Sequence, residues 1–132
     1  MKALFDALDR QMRHEMGMSH DDYILLSRLY RAEGQAMRMS DLAAELSSSP
    51  SRMSHTIARL EDRGWVERSR GVSDGRVVVA RLTQAGAAKS REASPGHLAL
   101  VERLVFEILG DQGVAETADS LDLVRRAAED IG

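Results

Sequence analysis

The sequence predicts a mainly helical α+β fold that carries one small β-hairpin. Apolar residues recur at helical spacing through most of the chain, beginning with Leu4, Phe5, Leu8, Met12 and Met16. Two short Val- and Trp-rich runs, Trp65 to Arg68 and Arg76 to Leu82, flank a loop with two glycines and an Asp-Gly pair, which is hairpin chemistry. Prolines stand only at Pro50 and Pro95, each after a serine, where helices start. Helix, strand, basic hairpin, strand is the layout of a winged helix-turn-helix.

The first helix carries the Leu4–Met16 stripe and should stop at Gly17. Ser19 then caps a second helix, with Asp22 three residues on in a capping-box position. Ile24, Leu25, Leu26, Leu29 and Tyr30 fill its buried face, and Gly34 ends it. Ser40 should cap a short helix with Leu42, Ala43 and Leu46, and Ser47 to Ser49 should turn. Ser49 is the expected N-cap of the next helix and Pro50 its first residue, where a missing N–H costs nothing. Met53, Ile57 and Leu60 point inward there, while Ser51, Arg52, His55, Arg59 and Asp62 point outward, and Gly64 stops the helix. A new helix begins at Thr83, with a kink or restart expected at Ser94-Pro95. A stripe of Leu98, Val101, Leu104, Val105 and Ile108 ends at Gly110, and Asp111 opens a last helix with Val114, Ala118, Leu121, Val124 and Ala128 on one side.

With 132 residues, the chain reads as a single domain, 1–132. Residues 1–18 and 87–132 are the expected dimerisation helices, and 19–86 the DNA-binding winged helix-turn-helix. The stripes of the terminal helices could be core, but the compact middle leaves them little to cover. Leu4, Phe5, Leu8, Leu98, Val101, Leu104 and Val105 are therefore the expected dimer interface. Cysteine is absent, which excludes disulfides and thiolate metal sites. No apolar run approaches a membrane span, and Asp6 comes too early for a signal peptide, so a cytoplasmic protein is expected.

Net charge is −3, but residues 52–81 hold seven Arg against four acids, while 87–132 hold five basic residues against nine acids. A basic middle suits contact with phosphates. Ser49, Pro50, Ser51, Arg52, Ser54, His55 and Arg59 form the candidate DNA-reading helix face. Short side chains there permit close approach, and Arg and His can touch base edges or phosphates. Arg70 and Arg76 flank the wing loop and could enter a minor groove. Asp74 is close enough to pair with Arg76, or could instead satisfy turn N–H groups. Met12, Met16, Tyr23 and His97 are candidate walls of a ligand pocket, Met being soft and adaptable, although core packing is the commoner role of Met. His14, His20, His55 and His97 have no metal-ligand spacing, no Gly-rich phosphate loop occurs, and no catalytic set assembles, so neither an enzyme nor a bound cofactor is expected.

Leu60-Glu61-x-x-Gly64-Trp65-Val66-Glu67-Arg68, then Asp74-x-Arg76 and Leu82-Thr83-x-x-Gly86, resembles the MarR family of winged-helix regulators over essentially the whole chain. Ala80 and Pro50 depart from the usual pattern. The resemblance implies a cytoplasmic homodimer, nucleoid-associated when bound to double-stranded DNA at a near-palindromic operator. It implies a transcriptional repressor in most cases, often released by a small phenolic or lipophilic effector. The alternative is a winged-helix module for protein–protein contact without DNA binding; Arg52, Arg59, Arg70 and Arg76 speak against it.

Overall fold

The computed structural model describes residues 2–71 and 75–131, the side chains of 121, 124, 125 and 127–131 excepted. Asp74, and the side chains of Leu121, Val124 and Ala128, lie outside the described residues. The chain forms two compact units, 1–95 and 96–132. The first unit contains α1 (Lys2–Met16), α2 (His20–Arg31), a 3-10 turn (Glu33–Gln35), β1 (Ala36–Arg38), α3 (Met39–Glu45), α4 (Pro50–Asp62), β2 (Val66–Arg70) and β3 (Val78–Leu82). Helix α5 (Gln84–Val101) runs from this unit into the second, which continues as a π-helical turn (Glu102–Phe106) and α6 (Glu107–Ile131). No helix among the described residues is long and apolar enough to cross a membrane.

Several boundaries differ from those the sequence predicts. Helix α3 starts at Met39 with Arg38 at its cap and no capping side chain, so Ser40 lies inside the first turn. The hairpin strands run Val66–Arg70 and Val78–Leu82. A third strand, β1, makes the sheet antiparallel with order β1-β3-β2. Ala80, fully buried on the central strand, faces Met37 on one side and Arg68 on the other. Helix α5 continues through Pro95 instead of restarting. A proline removes one backbone donor and crowds one carbonyl, and a long helix can absorb that loss. Gly110 does interrupt the last helix, at φ 67° and ψ 172°.

Helix α1 belongs with the winged unit rather than apart from it. Its Leu8 and Met12 are buried within the chain. Leu8, expected between subunits, is therefore already covered, while Phe5 on the same helix is half exposed. Met12, Leu25, Leu26, Leu29, Leu42, Ile57 and Leu60 are at most 2% exposed and form the core with Trp65, Val66, Ala80, Leu82 and Ala87. Burial of this kind contributes roughly 1.5–3 kcal/mol per large aliphatic side chain.

Helix ends are closed by specific bonds. Ser19 Oγ accepts from the Asp22 N–H at 3.0 Å, as the spacing predicts. The Asp22 carboxylate does not return to the cap; it meets Arg59 instead. Asp9 of α1 takes the His20 N–H at 2.9 Å, so a second helix contributes to the first turn of α2. The Arg13 guanidinium beside Asp9, with that N–H, holds its carboxyl below the usual carboxylate range.

Candidate nucleic-acid interface

The helix-turn-helix consists of α3, a turn through Leu46–Ser49, and α4. Ser48 N–H reaches the Ala43 carbonyl at 2.8 Å and Ser47 N–H the Ala44 carbonyl at 3.2 Å. That pair of bonds closes α3 in a Schellman motif, with Ser47 at φ 50° in the left-handed position glycine favours. Ser49 Oγ then accepts from Arg52 N–H at 3.2 Å, and Pro50 opens α4. The expected cap and first residue are both in place.

Helix α4 has the two faces the spacing predicts. Met53, Ile57 and Leu60 are buried, and Ser51, Arg52, Ser54, His55 and Arg59 are exposed. The helix ends as Gly64, at φ 78°, donates to Glu61 and Trp65 donates to Leu60. Arg63 stacks on the Trp65 ring at 4.0 Å and donates to the Gly17 carbonyl at 2.9 Å, tying the end of α4 to the α1–α2 corner. One turn earlier, Arg59 Nη2 meets Asp22 Oδ1 at 2.5 Å. Ser54 Oγ accepts from Arg68 of β2 at 3.3 Å, and Arg68 also pairs with Glu61 at 2.6 Å, so α4 is braced against the hairpin.

The wing follows β2. Arg70 and Arg76 are both exposed. Arg70 donates to the Gly75 carbonyl and Gly71 to the Val77 carbonyl, closing the hairpin base. The Arg76–Asp74 pairing lies outside the described residues. Behind the wing, Thr83 organises the entry to α5. It donates to the Gly64 carbonyl at 2.6 Å and accepts from Gly86 N–H at 3.0 Å, while its own N–H meets the Trp65 carbonyl.

The family model for the MarR family matches residues 18–78. The crystal structure of AbsC, a MarR family transcriptional regulator from Streptomyces coelicolor, superposes with a TM-score of 0.89 at 33% identity, covering 97% of this chain and 86% of AbsC. The chain belongs to the MarR family. A second MarR structure, Sco3205 from the same organism in complex with DNA, gives a TM-score of 0.90 at 36% identity, covering 96% of this chain and 79% of Sco3205. The HTH-type transcriptional regulator YdgJ of Bacillus subtilis is 28% identical over 115 residues, 87% of this chain and 66% of YdgJ. Across the curated relatives, the chain spans between 48% and 66% of their length.

On this MarR scaffold an open concavity of about 770 Å³ lies between α1, the start of α2 and the exposed face of α4. Arg52, His55 and Arg59 form one wall, and Phe5, Asp9 and His20 stand on the other side. A smaller concavity of about 310 Å³ lies between α3, the start of α4 and the wing base, bordered by Arg38 and Arg76. Met12, Met16 and Tyr23 line neither concavity. Met12 and Tyr23 are core side chains, Met16 packs against that core, and His97 belongs to the second unit. Met12 and Met16 lie on α1, Tyr23 on α2 and His97 on α5. Spacing alone does not mark Asp22 or Arg38 as lining these concavities. Asp22 lies 37 residues from Arg59 in sequence, and no local signal joins them.

In the second unit, Leu98, Phe106, Ile108, Leu109 and Leu123 are exposed, and Val101, Leu104 and Val105 are half-buried.

Proposed function

We propose that this protein is a sequence-specific, DNA-binding transcriptional regulator that acts as a homodimeric repressor on a near-palindromic operator. The observation that carries the reading is the exposed face of α4, where Arg52, His55 and Arg59 stand free of the core beside Ser51 and Ser54. Likeness to Sco3205, solved in complex with DNA, supports the same reading. In this reading Arg52 and His55 face base edges in the major groove and Arg59 faces a phosphate. Ser49, Pro50, Ser51 and Ser54 allow close approach, while Arg70 and Arg76 reach the adjacent minor groove with Asp74 steering Arg76.

Dimerisation is supported by the exposed apolar residues, which among the described residues concentrate in 96–132 with Phe5 outside that stretch. Large exposed apolar patches mark interaction surfaces. A two-fold dimer would set its two α4 helices about one DNA turn, roughly 34 Å, apart. A small phenolic or lipophilic effector would release the operator by favouring a different spacing. A mobility-shift titration on random and selected duplexes at several salt concentrations tests the reading. Salt-dependent binding with a tighter selected sequence is expected; absence of binding at low salt would refute it.

A further inference from the structure

We propose that Asp22 is a positioning residue for DNA binding: its buried carboxylate holds Arg59 so that the remaining guanidinium donors face a DNA phosphate. The inference rests on the DNA-binding reading of α4. The Asp22 side chain is 5% exposed, whereas Arg59 is 55% exposed, so the pair has one anchored end and one presented end. Asp22 sits in the first turn of α2, and its carboxylate turns to Arg59 of α4. Other groups take two N–H groups of that turn, Ser19 Oγ that of Asp22 and Asp9 that of His20.

A buried carboxylate requires a charged or hydrogen-bonded partner, and Arg59 Nη2 supplies it. A guanidinium offers five N–H donors in a planar fork. With Nη2 held by Asp22, Arg59 remains largely exposed and lines the concavity shared with Arg52 and His55. The long side chain of Arg59 is thereby restricted before any DNA arrives, which favours binding by reducing the ordering still to be done. Fastening α4 does not depend on this pair alone, since Arg63 already binds the Gly17 carbonyl.

The experiment compares wild type, Asp22→Ala, Arg59→Ala and the double variant, titrated with a random-sequence duplex over a salt series, alongside unfolding midpoints. Asp22→Ala should weaken binding about five- to tenfold, although it removes a negative charge beside DNA. It should also lower the salt slope by about one phosphate contact, as Arg59→Ala does. The double variant should bind no more weakly than Arg59→Ala, because both changes remove the same contact. A purely structural role would lower the unfolding midpoint, leave the slope unchanged and make the double variant weaker still; that result overturns the inference. Binding of Asp22→Ala as tight as wild type overturns it too. If Asp22→Ala does not fold, Asp22→Asn keeps the shape and one acceptor. It should then show a smaller loss in the same direction, and an unchanged slope would overturn the proposal. A wild-type protein that binds no duplex at low salt refutes the DNA-binding reading and this inference together, whereas wild-type binding with an unaffected Asp22 variant refutes the inference alone.

Discussion

A Cβ on residue 86 would stand 1.9 Å from the Trp65 carbonyl oxygen, so Gly86 is the residue that lets α5 start against the link between α4 and β2. The same carbonyl accepts from Thr83 N–H, and Thr83 Oγ1 bridges Gly64 and Gly86. The Leu82-Thr83-x-x-Gly86 signature is thus a joint between the wing and α5. Gly86→Ala should lower stability by roughly 3 kcal/mol, since the obstacle is backbone and not a flexible side chain. Thr83→Val should cost about 1–2 kcal/mol through the lost cap and donor. Urea unfolding of both variants checks this; a Gly86→Ala protein as stable as wild type would contradict the close approach.

His20 sets a pH dependence of stability. Burial pushes its imidazole below the ordinary 6.5, against the pull of Asp21 and Asp9 toward the charged form. The unfolded chain therefore takes up a proton that the folded chain refuses. Stability from this site is fully present above pH 6.5 and falls as pH drops through 6.5 toward the lower folded value. The unfolding midpoint should decline from about pH 7.5 to about pH 5.5, and His20→Gln should flatten that decline. Equal slopes in the two proteins would exclude His20 as the source.

The α4 face predicts two kinds of loss. Arg52→Ala and His55→Ala should each weaken binding to a selected operator by roughly 1–3 kcal/mol and relax sequence preference. Their effect on random duplex should be smaller. Competition titrations separate these quantities, and unaltered preference in both variants would remove the base-reading assignment.

The apolar surface of 96–132 predicts the assembly state. Leu104, half-buried in the single chain, should become covered on dimerisation. Leu104→Asp should then convert a dimer into a monomer at micromolar concentration. Sedimentation velocity reads this directly, and a wild-type protein already monomeric there would rule out the dimer.

Much of the fold was legible in the sequence, because local chemistry decides it. Helical spacing separated Met53, Ile57 and Leu60 from the exposed Arg52, His55 and Arg59 on α4, and the structure keeps that division. Ser19 and Ser49 were readable as caps because a cap needs only the three residues that follow it. Gly17, Gly64 and Gly110 were readable as stops, and all three have positive φ. Strand β1 was not readable: three residues carry no periodicity, and Ala36–Arg38 are a strand only because β3 pairs with them.

By itself, the sequence determined that α1, α2 and α4 are helical, which face of α4 is apolar, and that a basic hairpin follows α4. Only the tertiary structure decided what covers each face. The single stripe on α1 divides into a buried Leu8 and Met12 and an exposed Phe5, and Met12 and Tyr23 join one core. Asp22 becomes the partner of Arg59, not a return cap on Ser19, because folding brings α4 against the start of α2. Periodicity reports the direction of a side chain about its own helix axis, whereas burial and pairing depend on which distant element folding brings against it.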